Sequence, residues 1–292
     1  MTTPLGIFVR FADLDSDHQE LVKLAWKGAN SSADHKLCFQ SDFPVGAAIH
    51  AANTGGETRF FPGCNVENDY FPATICAERN AATTAALMGF KQFLAVAVLC
   101  RKYPGGSPCG LCRQVLNQFG RNAVLLNVVD HDSNVRRALV GDLLPAATAA
   151  AIAFGQLSPE ARKLIRRVAA LKARAYVPYS KRPRAALFVA ANEKGVIRAF
   201  PGISDDNASY GGSAMAETVA MRTARTAGFS KDVRLIVTVE DPAAVNPIDG
   251  ESLQVLREFG AEAPIDLVGP DRQVVNSALT ELLPDSFGPE SL

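Results

Sequence analysis

This chain contains one unit written twice, and that repetition constrains its fold more than any other feature. The stretch FPGCNVENDYFPATICAERNAA, Phe61 to Ala82, has a counterpart in FPGISDDNASYGGSAMAETVA, Phe200 to Ala220. Phe61 pairs with Phe200, Gly63 with Gly202, Asn68 with Asn207 and Glu78 with Glu217, all at one constant offset. Further on, CRQVLNQFG (Cys112 to Gly120) pairs with SLQVLREFG (Ser252 to Gly260), one residue out of step. Both copies close on LLP, at Leu143–Pro145 and Leu282–Pro284. Chance resemblance of common strings does not produce colinear matches at shared spacing. Each copy spans roughly 130 residues, an ordinary domain size. The expected layout is a domain over 1–145, a linker over 146–157 and a second domain over 158–292. The alanine-rich linker has the composition of a helix rather than of a flexible coil.

Each copy alternates the same elements. An amphipathic helix opens it: HQELVKLAWKGA in the first, PEARKLIRRVAALKARAY in the second, where Ser158 and Pro159 are start signals. Apolar strands VGAAIHAA and AALFVAA follow. A second helix runs from about residue 73 to 88, and its partner from about 214 to 227. Strands FLAVAVLC and VRLIVTVE come next. A short helix starting at Cys109 and a strand NAVLLNVV complete the first copy. This alternation predicts an α/β chain of two tandem α/β/α sandwiches, each a sheet flanked by helices.

Cysteine usage is lopsided. All six cysteines, Cys38, Cys64, Cys76, Cys100, Cys109 and Cys112, fall in the first half. Clustered cysteines without a secretory start point to metal or catalysis more than to disulfides. Cys109 and Cys112 are three apart, so at the first turn of a helix both sulfurs lie on one side. Cys76 stands at the start of another helix. Three thiolates leave a fourth tetrahedral position open, the arrangement of a catalytic rather than a structural zinc. Three thiolates on Zn²⁺ carry a net negative charge that opposes ionisation of a bound water. Two helix N-termini aimed at the sulfurs would offset it, and Arg79 can hydrogen-bond a thiolate. Glu78, two residues from Cys76, can take a proton from zinc-bound water and pass it to a ring nitrogen and leaving amine. A lone C-x-x-C would equally suit half of a structural zinc site or a redox pair. C-A-E followed by P-C-x-x-C is far more specific. Cys38, Cys64 and Cys100 read as packing residues, and His18, His35, His50 and His131 as incidental.

At these residues the chain resembles the cytidine deaminase family. Four segments carry the resemblance: FPVGAA from Phe43, GCNVEN from Gly63, TICAER from Thr74, and PCGLCRQVL from Pro108. It covers most of both repeats and is that of a long, two-domain member with one live and one decayed copy. The family's fold implies a mixed sheet in each repeat. The resemblance implies that Cys76, Cys109 and Cys112 bind one zinc per chain and that Glu78 is the proton shuttle. It makes Asn65 and Glu67 the pair that grips a ribose hydroxyl, Phe43 the aromatic against the base, and the Ala77 backbone a pyrimidine contact. Taken alone, Asn65 and Glu67 would equally suit a solvated turn. Family members send aromatics into adjacent active sites, which makes Phe71, Tyr210 and Phe287 candidates for closing a pocket. The implied activity is hydrolytic deamination of cytidine and deoxycytidine in pyrimidine salvage. Long members often carry histidine where this chain has Cys76, and the family often has tyrosine where it has Phe71; the all-cysteine set with Arg79 is like that of the short, tetrameric kind.

The second copy loses the metal set: Met215 stands for Cys76, Asp249 for Cys109 and Ser252 for Cys112, while Glu217 survives. Its expected role is architectural, replacing a neighbouring subunit, so that a homodimer imitates a tetramer. The chain balances 30 basic against 30 acidic residues. Without a basic surplus, a polynucleotide substrate is not expected; a free nucleoside is. Neither a signal peptide nor a membrane span is read from the sequence, so a cytoplasmic protein is expected.

Overall fold

The computed structural model describes residues 5–260 and 262–289. It divides into two units: residues 5–144 with 285–289, and residues 145–284. The first unit runs β1 (Ile7–Val9), α1 (Ser16–Asp34), β2 (Val45–Ala52), β3 (Thr58–Cys64), α2 (Ala77–Leu87), β4 (Gln92–Cys100), α3 (Gly110–Gly120), β5 (Val124–Val128) and β6 (Val135–Leu139). Its sheet has the order β1-β6-β5-β4-β2-β3. Only β4 and β5 pair in parallel. A parallel pair requires a crossover, and α3 supplies it.

Alternation along the strands assigns the two faces. Ala47, Ile49 and Ala51 of β2 pack with Ala77, Ala81 and Ala85 of α2. Ala48 points the other way, into a cluster with Leu21, Val22 and Ala25 of α1. Helices therefore cover both faces, as the alternation of elements predicts. Glycine sets how near α2 comes. A Cβ on Gly63 would stand 2.4 Å from the Ala77 carbonyl oxygen and 2.7 Å from the Ala81 nitrogen. Gly202 approaches Ala216 and Ala220 in the same way, at 2.0 and 2.6 Å. The repeated FPG string thus has a packing cause, and it holds the start of α2 hard against the sheet.

The second unit repeats the design with α4 (Pro159–Leu171), β7 (Ala185–Asn192), β8 (Ile197–Ile203), α5 (Ala216–Thr226), β9 (Phe229–Thr238), α6 (Gly250–Arg257), β10 (Pro264–Val268), β11 (Val274–Ala278) and α7 (Leu279–Leu282). Its sheet order is β11-β10-β9-β7-β8, with β9 and β10 parallel. The Ser158 hydroxyl accepts from the Ala161 N–H at 3.1 Å, capping α4 as its position before Pro159 predicts.

Two features differ from the sequence expectation. Residues 146–157 hold no α-helix. Ile152 pairs with Val274 through N···O contacts of 2.8 and 2.9 Å, and the Thr148 N–H donates to Glu281 at 2.7 Å. Strand-like pairing with β11 overrides alanine's helix preference, which is weak over so short a segment. Residues 285–289, assigned from sequence to the second repeat, group instead with the first unit. Contacts with Arg113 and Phe43 help to bring the segment back; they span most of the chain and leave no periodic trace.

Candidate active site

Two helix starts converge on the metal cluster. Cys76 is the N-cap of α2 and Cys109 the N-cap of α3, while Cys112 lies buried in the first turn of α3. The Cys76 and Cys109 sulfurs are 3.8 Å apart, and those of Cys109 and Cys112 3.5 Å. A tetrahedral zinc with bonds of about 2.3 Å places its sulfur ligands about 3.8 Å from one another. The three thiols therefore fit that ion, and among the described residues the cluster consists of these three ligand atoms. Hydrogen bonds from Cys112 and Cys76 hold the Cys109 thiol well below the usual thiol range. Arg79 donates to the Thr74 carbonyl at 2.9 Å, and the same nitrogen lies 3.8 Å from the Cys76 sulfur.

Glu78 stands on the first turn of α2 with 4 % of its surface exposed. Burial, with the Cys76 sulfur beside it, pushes its carboxyl up to about 7. A carboxyl tuned there can both take and return a proton near neutral pH.

These groups open onto a cavity of about 260 Å³. Cys76, Glu78 and Cys109 form one end. Phe43, Asn65, Glu67, Phe71, Ala77 and Phe287 line the rest, so the structure brings together nearly all the residues singled out from sequence. The Phe43 and Phe287 rings meet edge to face, 5.8 Å between centroids. Tyr210 belongs to the second unit, where it is 78 % exposed and its ring meets that of Tyr179. Chain extension continues past β3, because Val66 pairs with Ile75, and this turns Asn65 and Glu67 to one side.

Both polar residues are buried rather than solvated. Asn65 accepts from the Val45 N–H at 2.8 Å and the Ser32 hydroxyl at 2.7 Å, and donates to the Phe43 carbonyl at 2.9 Å. Glu67 accepts from the Gln40 and Ser41 backbones and from the Ser41 hydroxyl. Asp206, at Glu67's position in the second unit, accepts from the matching Tyr179 and Ser180 N–H groups. The backbone contacts of Glu67 thus recur where the metal set is gone, which marks them as part of the fold.

Sequence inspection passes over several residues of the site. Ser41, Thr74 and Ser107 line the cavity, as does Cys100, which is also buried as a packing residue should be. Arg113 is fully buried beside Cys112. Its signal was available: with Gly110, Cys112 and Leu116 it falls on the inward register of α3. In the second unit a different cluster fills the corresponding place. Arg184, at the position of Val45, lies 2.7 Å from Glu217 and 3.9 Å from Asp249.

Known proteins share part of this sequence. Residues 15–128 match the family described as the cytidine and deoxycytidylate deaminase zinc-binding region. The cytidine deaminase of Sporosarcina psychrophila is 36 % identical over 107 residues, covering 37 % of this chain and 76 % of its own. The probable cytidine deaminase of Dictyostelium discoideum is 35 % identical over 129 residues, covering 44 % and 84 %. A crystal structure of cytidine deaminase from Burkholderia pseudomallei shares 33 % identity over 45 % of this chain and 98 % of its own, with a TM-score of 0.36. With over a third of residues identical across three quarters of a relative's length, this chain belongs to the cytidine deaminase family.

Proposed function

We propose that the chain hydrolyses free cytidine and deoxycytidine to uridine and deoxyuridine, releasing ammonia, as a step of pyrimidine salvage. One zinc per chain is assigned to the first unit. The observation that carries the reading is the Cys76, Cys109 and Cys112 cluster beside buried Glu78 at one end of an aromatic-walled cavity. Cys76, Cys109 and Cys112 would hold the zinc, which when bound would polarise the attacking water as a Lewis acid. The protein's own residues do the rest. The Glu78 carboxyl accepts one proton from the attacking water and gives it to the ring nitrogen as the new C–O bond forms; it then takes the second proton from that hydroxyl and gives it to the amine, which leaves as ammonia when the C–N bond breaks. Phe43 and Phe287 present apolar faces to a flat base. The Ala77 backbone orients the pyrimidine edge, and Asn65 with Glu67 receives the sugar hydroxyl. Arg79 and the two helix starts offset the negative charge of the thiolates.

The second unit, lacking the cysteines, serves architecture. A homodimer of such chains would assemble four similar units. No described helix is long and apolar enough to cross a membrane, and a cytoplasmic site of action fits a free nucleoside substrate.

The test is loss of cytidine ultraviolet absorbance with purified protein whose zinc is counted by elemental analysis. Turnover of both nucleosides, insensitive to salt, with one zinc per chain is expected. Zinc-loaded protein that leaves both unchanged would overturn the reading.

A further inference from the structure

Among the described residues, Arg113 is one of the largest fully buried side chains. Burial draws its guanidinium down to about 10, still charged at neutral pH. At least four oxygens receive its N–H groups. Nε donates to the Pro108 carbonyl at 2.7 Å, and Nη1 to the Leu143 carbonyl at 3.0 Å. Nη2 donates to the Ser107 hydroxyl at 3.1 Å and to the Asp285 carbonyl at 2.8 Å. One planar fork therefore fastens the loop that ends at Cys109 to the segment that returns at Asp285. At Asp285 the chain turns through a left-handed conformation, φ 49°. Two residues later Phe287 sets its ring against Phe43 in the cavity.

The second unit acts as an internal control. It builds the same helix with Leu253 at the corresponding position, 1 % exposed, so the fold itself does not demand an arginine there. A buried guanidinium is costly to desolvate and is retained where several acceptors use its geometry together. The unit that keeps the arginine is the one with the cysteines, Glu78 and the returning aromatic.

We infer that Arg113 is a positioning residue: it holds the Phe287 ring in place over the base and ties that placement to the loop carrying Cys109. This rests on the deaminase reading above and names a specificity element of the same pocket. It acts through Phe287 rather than on substrate. Its loss should therefore weaken nucleoside binding more than it slows the chemical step.

The experiment compares full-length, zinc-loaded wild type, R113K, F287A and the double variant. Lysine keeps the charge, but a single ammonium cannot serve four acceptors in fork geometry. R113K and F287A should each raise KM for cytidine and Kd for uridine about tenfold, the size of a lost aromatic contact. Zinc per chain should be unchanged, and kcat should stay within about threefold. The double variant should bind no more weakly than F287A alone, because both changes act through one ring. Unchanged KM and Kd in R113K, or effects that multiply in the double variant, would overturn the inference. Should R113K not fold, a glycine inserted between Ser286 and Phe287 shifts the ring while sparing the Asp285 anchor. It should reproduce the F287A constants, and wild-type constants there would also overturn the inference. Wild type that neither turns over cytidine nor binds uridine refutes the deaminase reading itself, whereas normal wild-type kinetics with a silent R113K refutes only the positioning role.

Discussion

In the second unit, replacing Arg184 should strand a buried carboxylate, and the cost can be worked from the geometry. Glu217 has no solvent exposure, and Arg184 Nη1 lies 2.7 Å from its Oε1. Arg184 also lies 3.9 Å from Asp249 and donates to the Pro247 carbonyl at 3.1 Å. The guanidinium thus stands between two acids at the positions of Glu78 and Cys109. The substitution R184V installs the residue found at Val45 in the first unit. It leaves Glu217 buried without its cation, a loss of about 3–5 kcal/mol. At about 2–4 °C per kcal/mol for a domain of this size, the second unit's melting transition should fall by roughly 10 °C. Adding E217Q removes the stranded charge, so the double variant should recover more than half of the deficit.

Linkage predicts the sign with pH. Burial already raises the Glu217 carboxyl above its ordinary value near 4.5, opposed by Arg184. Without Arg184 the folded-state pKa rises further. A raised carboxyl favours the folded state fully below the unfolded pKa, and that contribution is lost as pH climbs through the folded one. The R184V deficit should therefore be smaller near pH 5 than near pH 8. Differential scanning calorimetry of the full chain at both pH values reads this directly. An R184V transition within about 2 °C of wild type, or a double variant melting no higher than the single, would refute the reasoning.

Other substitutions test the active site and the packing. E78Q should keep zinc by elemental analysis while turnover drops about 10²–10⁴-fold, the range for a lost general acid–base group; loss of the metal would instead make Glu78 a ligand. C109S should release zinc and abolish activity, and chelation of wild type should do the same reversibly, with activity regained on adding zinc back. G63A forces a Cβ to within 2.4 Å of the Ala77 oxygen and should cost about 1–3 kcal/mol in denaturant unfolding. G155A, where an added Cβ meets nothing within 4 Å, should change stability by less than about 0.5 kcal/mol.

Local signals made much of this protein legible. The repeat announced two domains, because two copies of one element order bury the same faces. Cys76, Glu78, Cys109 and Cys112 were readable because helix starts place neighbours in sequence on one side, and the cluster in space follows that spacing. Even the departures in the second copy, Met215, Asp249 and Ser252, reveal from sequence that its metal set is gone.

Sequence alone did not reveal what fills the vacated place. Arg184 reaches Glu217 across 33 positions, and nothing in the Val45-like strand pattern announces it. The same holds for the non-α-helical path of residues 146–157, set in part by pairing with Val274 and by Glu281, and for Phe287 coming back to Phe43. Helix and strand periods report which way a side chain faces over a few residues. Whether a charge is buried, and which distant carbonyl receives it, depends on partners that only the closed fold brings together. Arg113 shows both halves: its inward register is written in α3, and its contact with Asp285 exists only once the chain has returned.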